Sequence, residues 1–287
     1  MERQGSVISH QRAWSAILEN GRYLADDNTI LMLSLAVEMG RPLLLEGPSG
    51  SGKTALAEAL ARGLVQPLVR LSCYEGLGAS EALYDWNYHA QWASLTQNGS
   101  SNPFADEFLL PRPLLQAVQE PRSILLIDEV DRADEAFEAL LLEYLSEFQI
   151  SIPERGTVKA EHPPITLLTS NRQRALSDAL RRRCLYLFVD WPNHQREETI
   201  VEFHVPDINT QVRRALVQTV HILRSWGLLK PPGLSETIDW ARATALRGVT
   251  DWERSWVEKT LGLVIKDALD LERVQERIDE LVVDPNT

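Results

Sequence analysis

The sequence has few cysteines and no spacing typical of a metal site. Its two cysteines, Cys73 and Cys184, lie far apart and form no C-x-x-C pair. Two isolated thiols are typical of a protein kept in a reducing compartment, and we expect both to be buried. The six histidines show no H-E-x-x-H or similar pattern. A structural metal ion is therefore not expected.

Long apolar runs are also missing. The stretch from 29 to 45 is apolar but is interrupted by Glu38 and Arg41, so it does not predict a membrane span. The first twenty residues are too polar for the apolar part of a secretory signal. We therefore expect a cytoplasmic protein.

Basic residues are scarce relative to acidic ones. The chain has 29 Lys and Arg against 41 Asp and Glu, a formal net charge of −12. Nonspecific affinity for nucleic acids or anionic membranes comes from clustered Lys and Arg, so the charge balance argues against both partners. With 287 residues, 44% of them hydrophobic, the chain can form one core domain and a smaller second domain.

Five short apolar runs, separated by helical patterns, predict a parallel β-sheet covered by helices on both faces. Near residue 191 the pattern changes, and helical patterns alone follow. We predict an α/β core over 1–191 with a five-stranded parallel sheet, then a small all-helical lid domain over 192–287. The five runs are 42–45, 68–71, 123–127, 165–169 and 185–189.

The helix after the third run has a clear apolar stripe, and three glutamates are expected to face away from it. The stripe contains Phe137, Leu140, Leu141, Tyr144, Leu145 and Phe148, and the glutamates are Glu138, Glu143 and Glu147.

The strongest functional signal follows the first predicted strand. Residues 47–54 match G-x-x-x-x-G-K-[ST] at every fixed position and open a helix, the setting of a phosphate-binding loop. Backbone N–H groups of such a loop surround phosphate oxygens, and the helix dipole favours the negative charge. Lys53 is expected to reach the β- and γ-phosphates, and Thr54 to coordinate Mg²⁺. We expect ATP and Mg²⁺ to be held by Gly47, Pro48, Ser49, Gly50, Ser51, Gly52, Lys53 and Thr54.

The third predicted strand ends in two acids, Asp128 and Glu129. A carboxylate at the end of a buried strand needs a partner. Mg²⁺ would be the partner of Asp128, and the attacking water that of Glu129. A glutamate directly after the metal-binding acid favours a hydrolase over a kinase, because a kinase does not activate water.

Two later features complete the predicted site. Asn171, directly after the fourth strand, is expected to hold the lytic water and contact the γ-phosphate. The arginines at 181–183 precede the fifth strand. They either form a solvated basic helix end whose positive charge complements the helix dipole, or supply an arginine finger to a neighbouring subunit. We take Arg183 as the finger and Arg182 as the alternative.

These residues resemble MoxR-family AAA+ ATPases over about 23–248, and within that family the CoxD-like branch. The family resemblance is carried by GPSGSGKT at 47–54, LIDEVDRA at 126–133, LLTSNR at 167–172 and DALRRRC at 178–184. The branch resemblance is carried by CYEG at 73–76, DWNY at 85–88, EFLLPRPLL at 107–115 and CLY at 184–186.

The resemblance implies a hexameric ring with ATP sites between subunits. It also implies a chaperone-like role in maturing or activating a client enzyme, often one with a metal cofactor, together with a partner carrying a von Willebrand factor A-type domain. Two family insertions would correspond to an insert in helix 2 at about 80–115 and a hairpin before the sensor strand at about 149–164. Within the first, Trp86, Tyr88 and Trp92 either engage the client or pack the insert.

One position departs from the family pattern. Members often place an arginine at the start of a lid helix to contact the γ-phosphate, whereas Thr237 aligns there in this sequence. Arg242 lies more than one turn later. Whether Arg242 or any other lid residue senses nucleotide is left open.

Two other functions share this core. One is a nucleic-acid-directed motor of a restriction-type system, which can use GTP, and the net charge argues against it. The other is a scaffold that assembles on ATP with little turnover, and the combination of Glu129, Asn171 and Arg183 argues against that.

Overall fold

The computed structural model describes residues 2–98 and 102–282. The chain divides into two compact units, the first formed by Met1–Gly47 with Lys53–Phe188 and the second by Pro48–Gly52 with Val189–Thr287. Residues 99–101 of the predicted insert and 283–287 of the predicted lid lie outside the described residues.

The first unit alternates helices and strands. In chain order these are α1 (Glu2–Asn20), α2 (Asp27–Glu38), β1 (Leu43–Glu46), α3 (Lys53–Leu64), β2 (Leu68–Ser72), α4 (Ala79–Ala82), β3 (Tyr84–Trp86), α5 (Tyr88–Asn98), β4 (Leu109–Pro111), α6 (Pro113–Gln119), β5 (Ile124–Asp128), α7 (Glu135–Glu147), β6 (Gln149–Ile152), β7 (Gly156–Lys159), β8 (Ile165–Ser170), α8 (Asp178–Arg183) and β9 (Leu185–Phe188). Short 3₁₀ turns at Asp106–Phe108 and Val130–Arg132 interrupt this order.

Five strands form one parallel sheet in the order β2-β5-β8-β1-β9. This confirms the predicted five-stranded parallel sheet. Every residue of β1 and β5 is buried, as expected for strands covered by helices on both faces. Because β5, β8 and β1 are neighbours, their carboxyl ends place the residues that follow them along one edge of the sheet.

Two small antiparallel ribbons stand apart from this sheet. β3 pairs with β4, with Tyr84 opposite Pro111, and α5 lies in the connection between them. β6 and β7 form a hairpin in which Ile152 pairs with Gly156. The chain therefore makes a hairpin directly before β8.

The prediction for α7 holds on the apolar side and fails for one glutamate. Phe137, Leu141, Tyr144 and Leu145 are buried as expected. Glu138 was expected to face away, but it is only 2% exposed. Its carboxylate is paired with the guanidinium of Arg174, and this ion pair compensates for the loss of hydration.

The second unit is helical apart from its short N-terminal piece at 48–52. Its helices are α9 (His194–His204), α10 (Thr210–Ser225), α11 (Leu234–Leu246), α12 (Arg254–Thr260) and α13 (Ala268–Glu276), with 3₁₀ turns at Leu261–Leu263 and Ile278–Leu281. Trp240 and Trp252 meet edge to face inside its core, with ring centroids 5.0 Å apart. None of the helices in the described parts of either unit is long and apolar enough to cross a membrane.

Candidate nucleotide and hydrolysis site

The loop between β1 and α3 has the backbone of a phosphate-binding loop. Gly50 and Gly52 have φ angles of +73° and +97°, a region that glycine enters without steric cost. The loop leads into α3 at Lys53, so the first turn of that helix carries both the lysine and Thr54. N–H groups that point outward at such a helix start favour an anion.

Lys53 is a buried cation in a cluster of acids. It is 5% exposed, and its Nζ donates a hydrogen bond of 2.9 Å to the carbonyl of Gly47. Burial lowers the pKa of Lys53, while the negative charges of Asp131, Asp128 and Glu129 act in the opposite direction. Burial is the larger effect, so the pKa of Lys53 lies below its ordinary value despite the three acids.

Thr54, Asp128 and Thr169 form the hydroxyl and carboxylate group of the site. Oδ1 of Asp128 accepts hydrogen bonds from Oγ1 of Thr169 at 2.6 Å and from Oγ1 of Thr54 at 3.1 Å. Hydroxyl and carboxylate oxygens are ligands that Mg²⁺ prefers. The pair predicted to bind the metal is thus brought together, and its donor set fits Mg²⁺.

Arg70 is a site residue that the sequence reasoning missed. It lies on β2, and its Nη2 forms an ion pair with Oδ2 of Asp128. β2 and β5 are paired so that Ser72 lies opposite Asp128, which brings side chains of β2 to the acid. The strand order needed to find this neighbour is not encoded in any local pattern.

Glu129 has a strained backbone and three partners. Its φ of 55° is left-handed, which is uncommon for a residue other than glycine and occurs often at functional sites. Its N–H donates to Oγ1 of Thr169 at 2.9 Å, so this hydroxyl joins Glu129 to Asp128. Its carboxylate accepts hydrogen bonds from Arg132 at 2.7 Å and from Nδ2 of Asn171 at 3.4 Å. The predicted base and the predicted water-holding amide are therefore neighbours.

Asp131 fixes the backbone of the segment that begins with Asn171. Oδ2 of Asp131 accepts hydrogen bonds from the N–H groups of Asn171 at 3.1 Å and Gln173 at 2.8 Å. The carboxylate is 3% exposed. This acid was not singled out from the sequence, although it lies three residues after Asp128.

The three consecutive arginines have different environments. Nη2 of Arg181 donates to Oε2 of Glu46 at 3.2 Å, and the Tyr186 hydroxyl donates to the same oxygen at 2.8 Å. Arg182 and Arg183 are exposed, and neither side chain has a hydrogen-bond or ion-pair partner within residues 2–98 and 102–282. All three arginines are exposed, and Arg181 differs from the other two in being paired within its own subunit.

Comparison with known proteins identifies the family. The protein family described as "AAA domain (dynein-related subfamily)" matches residues 42–184, about half of the chain. The gas vesicle ATPase GvpN of Haloferax mediterranei is 28% identical over 66% of this chain and 58% of its own length. The denitrification regulatory protein NirQ of Pseudomonas aeruginosa is 29% identical over 70% of this chain and 74% of its own length. Protein NorQ of Paracoccus denitrificans is 25% identical over 62% of this chain and 63% of its own length.

This chain is a MoxR-family AAA+ ATPase. Its assignment to the CoxD-like branch stays a prediction. The fold of this ATPase is also that of RuvB from Thermotoga maritima: one variant of RuvB superimposes with a TM-score of 0.51 at 20% identity, covering 90% of this chain and 71% of RuvB. The chain spans just over half of GvpN, so the activity of the whole protein is treated below as a proposal.

The lid position that departs from the family pattern is occupied by a buried hydroxyl in this MoxR ATPase. Thr237 is fully buried, and its Oγ1 donates to Oε1 of Glu197 at 2.8 Å. Arg224 holds the same carboxylate with two hydrogen bonds of 2.6 and 2.9 Å. Arg242 is exposed and paired with Asp239 at 3.1 Å. Thr237 is thus part of the internal packing of the second unit.

The second unit of the ATPase also contacts its own piece of the phosphate-binding loop. The N–H of Leu234 donates to the carbonyl of Gly50 at 2.8 Å, and Nε1 of Trp191 donates to the carbonyl of Ser49 at 3.2 Å. A Cβ added to Gly233 would lie 2.7 Å from Cα of Gly50. The backbone of residues 49 and 50 is therefore held by residues of the helical unit.

Both thiols of the ATPase are free and buried, as expected from the sequence. Burial raises the pKa of Cys73 to about 12, and the charges of Asp128, Asp131 and Glu129 act in the same direction. Burial also raises the pKa of Cys184 to about 12, against the effect of Arg41. Neither thiol is a reactive nucleophile at neutral pH.

Proposed function

We propose that this MoxR ATPase forms a ring of identical subunits, six as in the family it resembles, and couples Mg²⁺-dependent ATP hydrolysis to the activation of a client enzyme. The observation that carries the proposal is the group of Lys53, Thr54, Asp128, Glu129 and Asn171 within one unit, following three neighbouring strands. Each has the chemical type that phosphoryl transfer to water requires.

Nucleotide binding falls to residues 47–54. The loop amides and Lys53 would neutralise the phosphates, and Thr54 and Asp128 would hold Mg²⁺. When bound, the ion supplies positive charge for the phosphate oxygens. The hydrogen bonds from Thr54 and Thr169 to Asp128 fix that carboxylate beforehand, which lowers the reorganisation needed when a metal is bound.

Water activation falls to Glu129 and Asn171. A general base must lie within hydrogen-bond reach of the water, and a second polar group must orient that water. The 3.4 Å contact between the two side chains puts a carboxylate and an amide at one place. Arg132, on the other oxygen of Glu129, limits the rotation of the base.

The proposed finger is Arg183, with Arg182 as the alternative. A finger needs a guanidinium that is not already paired within its own subunit, and this requirement separates both residues from Arg181, which is exposed but paired with Glu46. A guanidinium supplied in trans typically contributes about 10³–10⁵ in rate to phosphoryl transfer.

The proposed client is an enzyme with a metal cofactor, reached together with a partner that has a von Willebrand factor A-type domain. The name of NirQ, a denitrification regulatory protein, supports a regulatory role for such ATPases. The net charge of −12 supports a protein client over a nucleic acid. The exposed Tyr88 and Trp92 on α5 are candidates for client contact.

Replacement of the base by its amide tests this proposal. Glu129→Gln keeps the shape of the side chain but cannot accept the proton, so ATP binding should persist while turnover falls about 10²–10⁴-fold. Binding is measured by calorimetry and turnover by phosphate release. Wild-type turnover in this variant would remove Glu129 from the mechanism.

The same variant identifies the client. With ATP, tagged Glu129→Gln should retain a client enzyme from an extract of the source organism, and Lys53→Ala, which cannot load ATP, should not. Mass spectrometry names the retained protein. Retention of DNA alone, with GTP turnover stimulated by DNA in the purified wild type, would instead establish the nucleic-acid motor.

A further inference from the structure

The short helix α8 carries the proposed finger, and a buried carboxylate holds the N-terminal end of this helix. Oε2 of Glu138 accepts a hydrogen bond of 2.9 Å from the N–H of Ser177, the residue that caps α8 through a 3.3 Å bond to the N–H of Leu180. The other oxygen of Glu138 is paired with Arg174. Leu180 is fully buried, so the helix is anchored on one face as well.

Glu138 is ionised in this position. Burial raises the pKa of Glu138, but hydrogen bonds from Ser177 and the pairing with Arg174 outweigh burial, and the pKa ends below its ordinary value. Arg174 also donates to the carbonyl of Ala133 at 2.7 Å. Charge-assisted hydrogen bonds of this kind hold geometry more strictly than neutral ones.

Arg41 holds the other end of α8. Its Nη2 donates to the carbonyl of Arg182 at 2.6 Å, and its Nε donates to that of Arg183 at 3.3 Å. Nη2 also lies 3.4 Å from the carbonyl of Cys184. The last carbonyls of a helix have no partner inside the helix, and a cation there also complements the helix dipole. The backbone that carries the exposed arginines is therefore fixed by the side chain of Arg41, which lies two residues before β1 begins.

We infer that Arg41 and Glu138 are positioning residues for the arginine that α8 presents to a neighbouring subunit. The inference rests on the proposed function, because it assumes that Arg183 or Arg182 acts in trans. Neither Arg41 nor Glu138 belongs to the nucleotide pocket of its own subunit. Loss of either should leave that pocket able to bind ATP and should slow ATP hydrolysis in the pocket of the neighbouring subunit.

Asp131 provides the internal contrast. Its carboxylate holds the first part of the connection between β8 and α8, at the N–H groups of Asn171 and Gln173. It therefore acts on the subunit's own water-holding amide. We therefore expect opposite results from substitutions at these two buried carboxylates. A substitution of Asp131 should impair hydrolysis in the pocket of its own subunit, and a substitution of Glu138 should impair hydrolysis in the pocket of the neighbouring subunit.

Mixed assemblies distinguish the two kinds of defect. Lys53→Ala has an empty pocket and an intact finger, so it can serve a partner whose pocket works. Arg41→Gln and Glu138→Gln should each bind ATP with wild-type affinity, turn it over at least tenfold more slowly alone, and recover turnover when mixed with Lys53→Ala. Asp131→Asn should not recover. Arg122→Gln, at an exposed arginine, is the matched control and should behave as wild type.

The mixture of Arg183→Ala with Lys53→Ala separates the possible failures. If that mixture recovers while the Arg41→Gln and Glu138→Gln mixtures do not, the inference is wrong and the proposed function stands. If the Arg183→Ala and Arg182→Ala mixtures both fail in confirmed mixed assemblies, the trans role fails and the inference falls with it. Wild-type turnover of Arg41→Gln alone also overturns the inference. Arg41 is partly exposed, so its variant decides the matter if Glu138→Gln does not fold.

Discussion

Lys53 is the residue on which the proposed nucleotide binding depends most directly. It is buried, its ammonium donates to the carbonyl of Gly47, and three carboxylates act on its charge. Without this ammonium, the three carboxylates would repel a phosphate. We therefore expect the lysine to be the group that allows this acidic pocket to accept a nucleotide.

Lys53→Ala should abolish ATP binding without unfolding the protein. Removal of the ammonium loses charge-assisted hydrogen bonds of about 1.5–3 kcal/mol each, so two such bonds correspond to at least about a hundredfold loss of affinity. Isothermal calorimetry with ATP measures this loss, and circular dichroism checks the fold. Lys266→Ala, at an exposed lysine, is the control. Unchanged affinity in Lys53→Ala would mean that the loop does not bind the nucleotide phosphates.

The side chains predicted from the sequence are those that follow a strand directly. Asp128, Glu129 and Asn171 each come at or after the end of an apolar run, and a parallel sheet brings such positions to one edge. The roles assigned to them stay predictions. Arg70 and Thr169 were missed because their importance comes from strand neighbours 58 and 41 residues away in the chain. No local spacing encodes such a distance.

The helices α1 and α3 are packed so closely that only glycine fits at the contact. A Cβ added to Gly63 would lie 1.9 Å from the carbonyl oxygen of Ile17, and one added to Gly21 would lie 2.0 Å from that of Ala59. Atoms of a helix backbone cannot move away as a flexible side chain would. The absence of a side chain at these positions therefore determines how near the two helices lie.

Gly63→Ala should destabilise the first unit even though it lies inside a helix. Alanine would favour the helix by about 1 kcal/mol, but the steric overlap with a neighbouring backbone costs typically 1–3 kcal/mol or more. The net effect should be a lower free energy of unfolding, measured by urea denaturation. Gly262→Ala, where a Cβ would meet no atom within 4 Å, is the control and should change little. A gain in stability for Gly63→Ala would contradict the close contact.

The five strands of the parallel sheet and the helix α7 were predictable, because each of the five apolar runs has the length of a strand and α7 has an apolar face. The five-stranded parallel sheet and the helical C-terminal part follow from that pattern. Glu138 was not predictable, since its burial depends on Arg174, 36 residues later. A helical stripe indicates where apolar side chains go, but it does not reveal a charge that is paired across the fold.

The proposed assembly follows from the separation, within one chain, of the proposed hydrolysis residues from the proposed finger. One subunit supplies Lys53, Thr54, Asp128, Glu129 and Asn171 from a single unit, while the accessible arginines of α8 are not bound to them. A complete hydrolysis site would then require two subunits.

The most direct measurement is ATP turnover by a mixture of two inactive variants, Arg183→Ala and Lys53→Ala. The first should bind ATP but hydrolyse it poorly, and the second should lack ATP while keeping its finger. Turnover in the mixture should exceed that of either variant alone, with subunit exchange verified by pull-down of differently tagged chains. Recovery with Arg183→Ala but not with Arg182→Ala identifies the finger as Arg183. A verified mixed assembly without any recovery, for either arginine, would contradict a site shared between subunits.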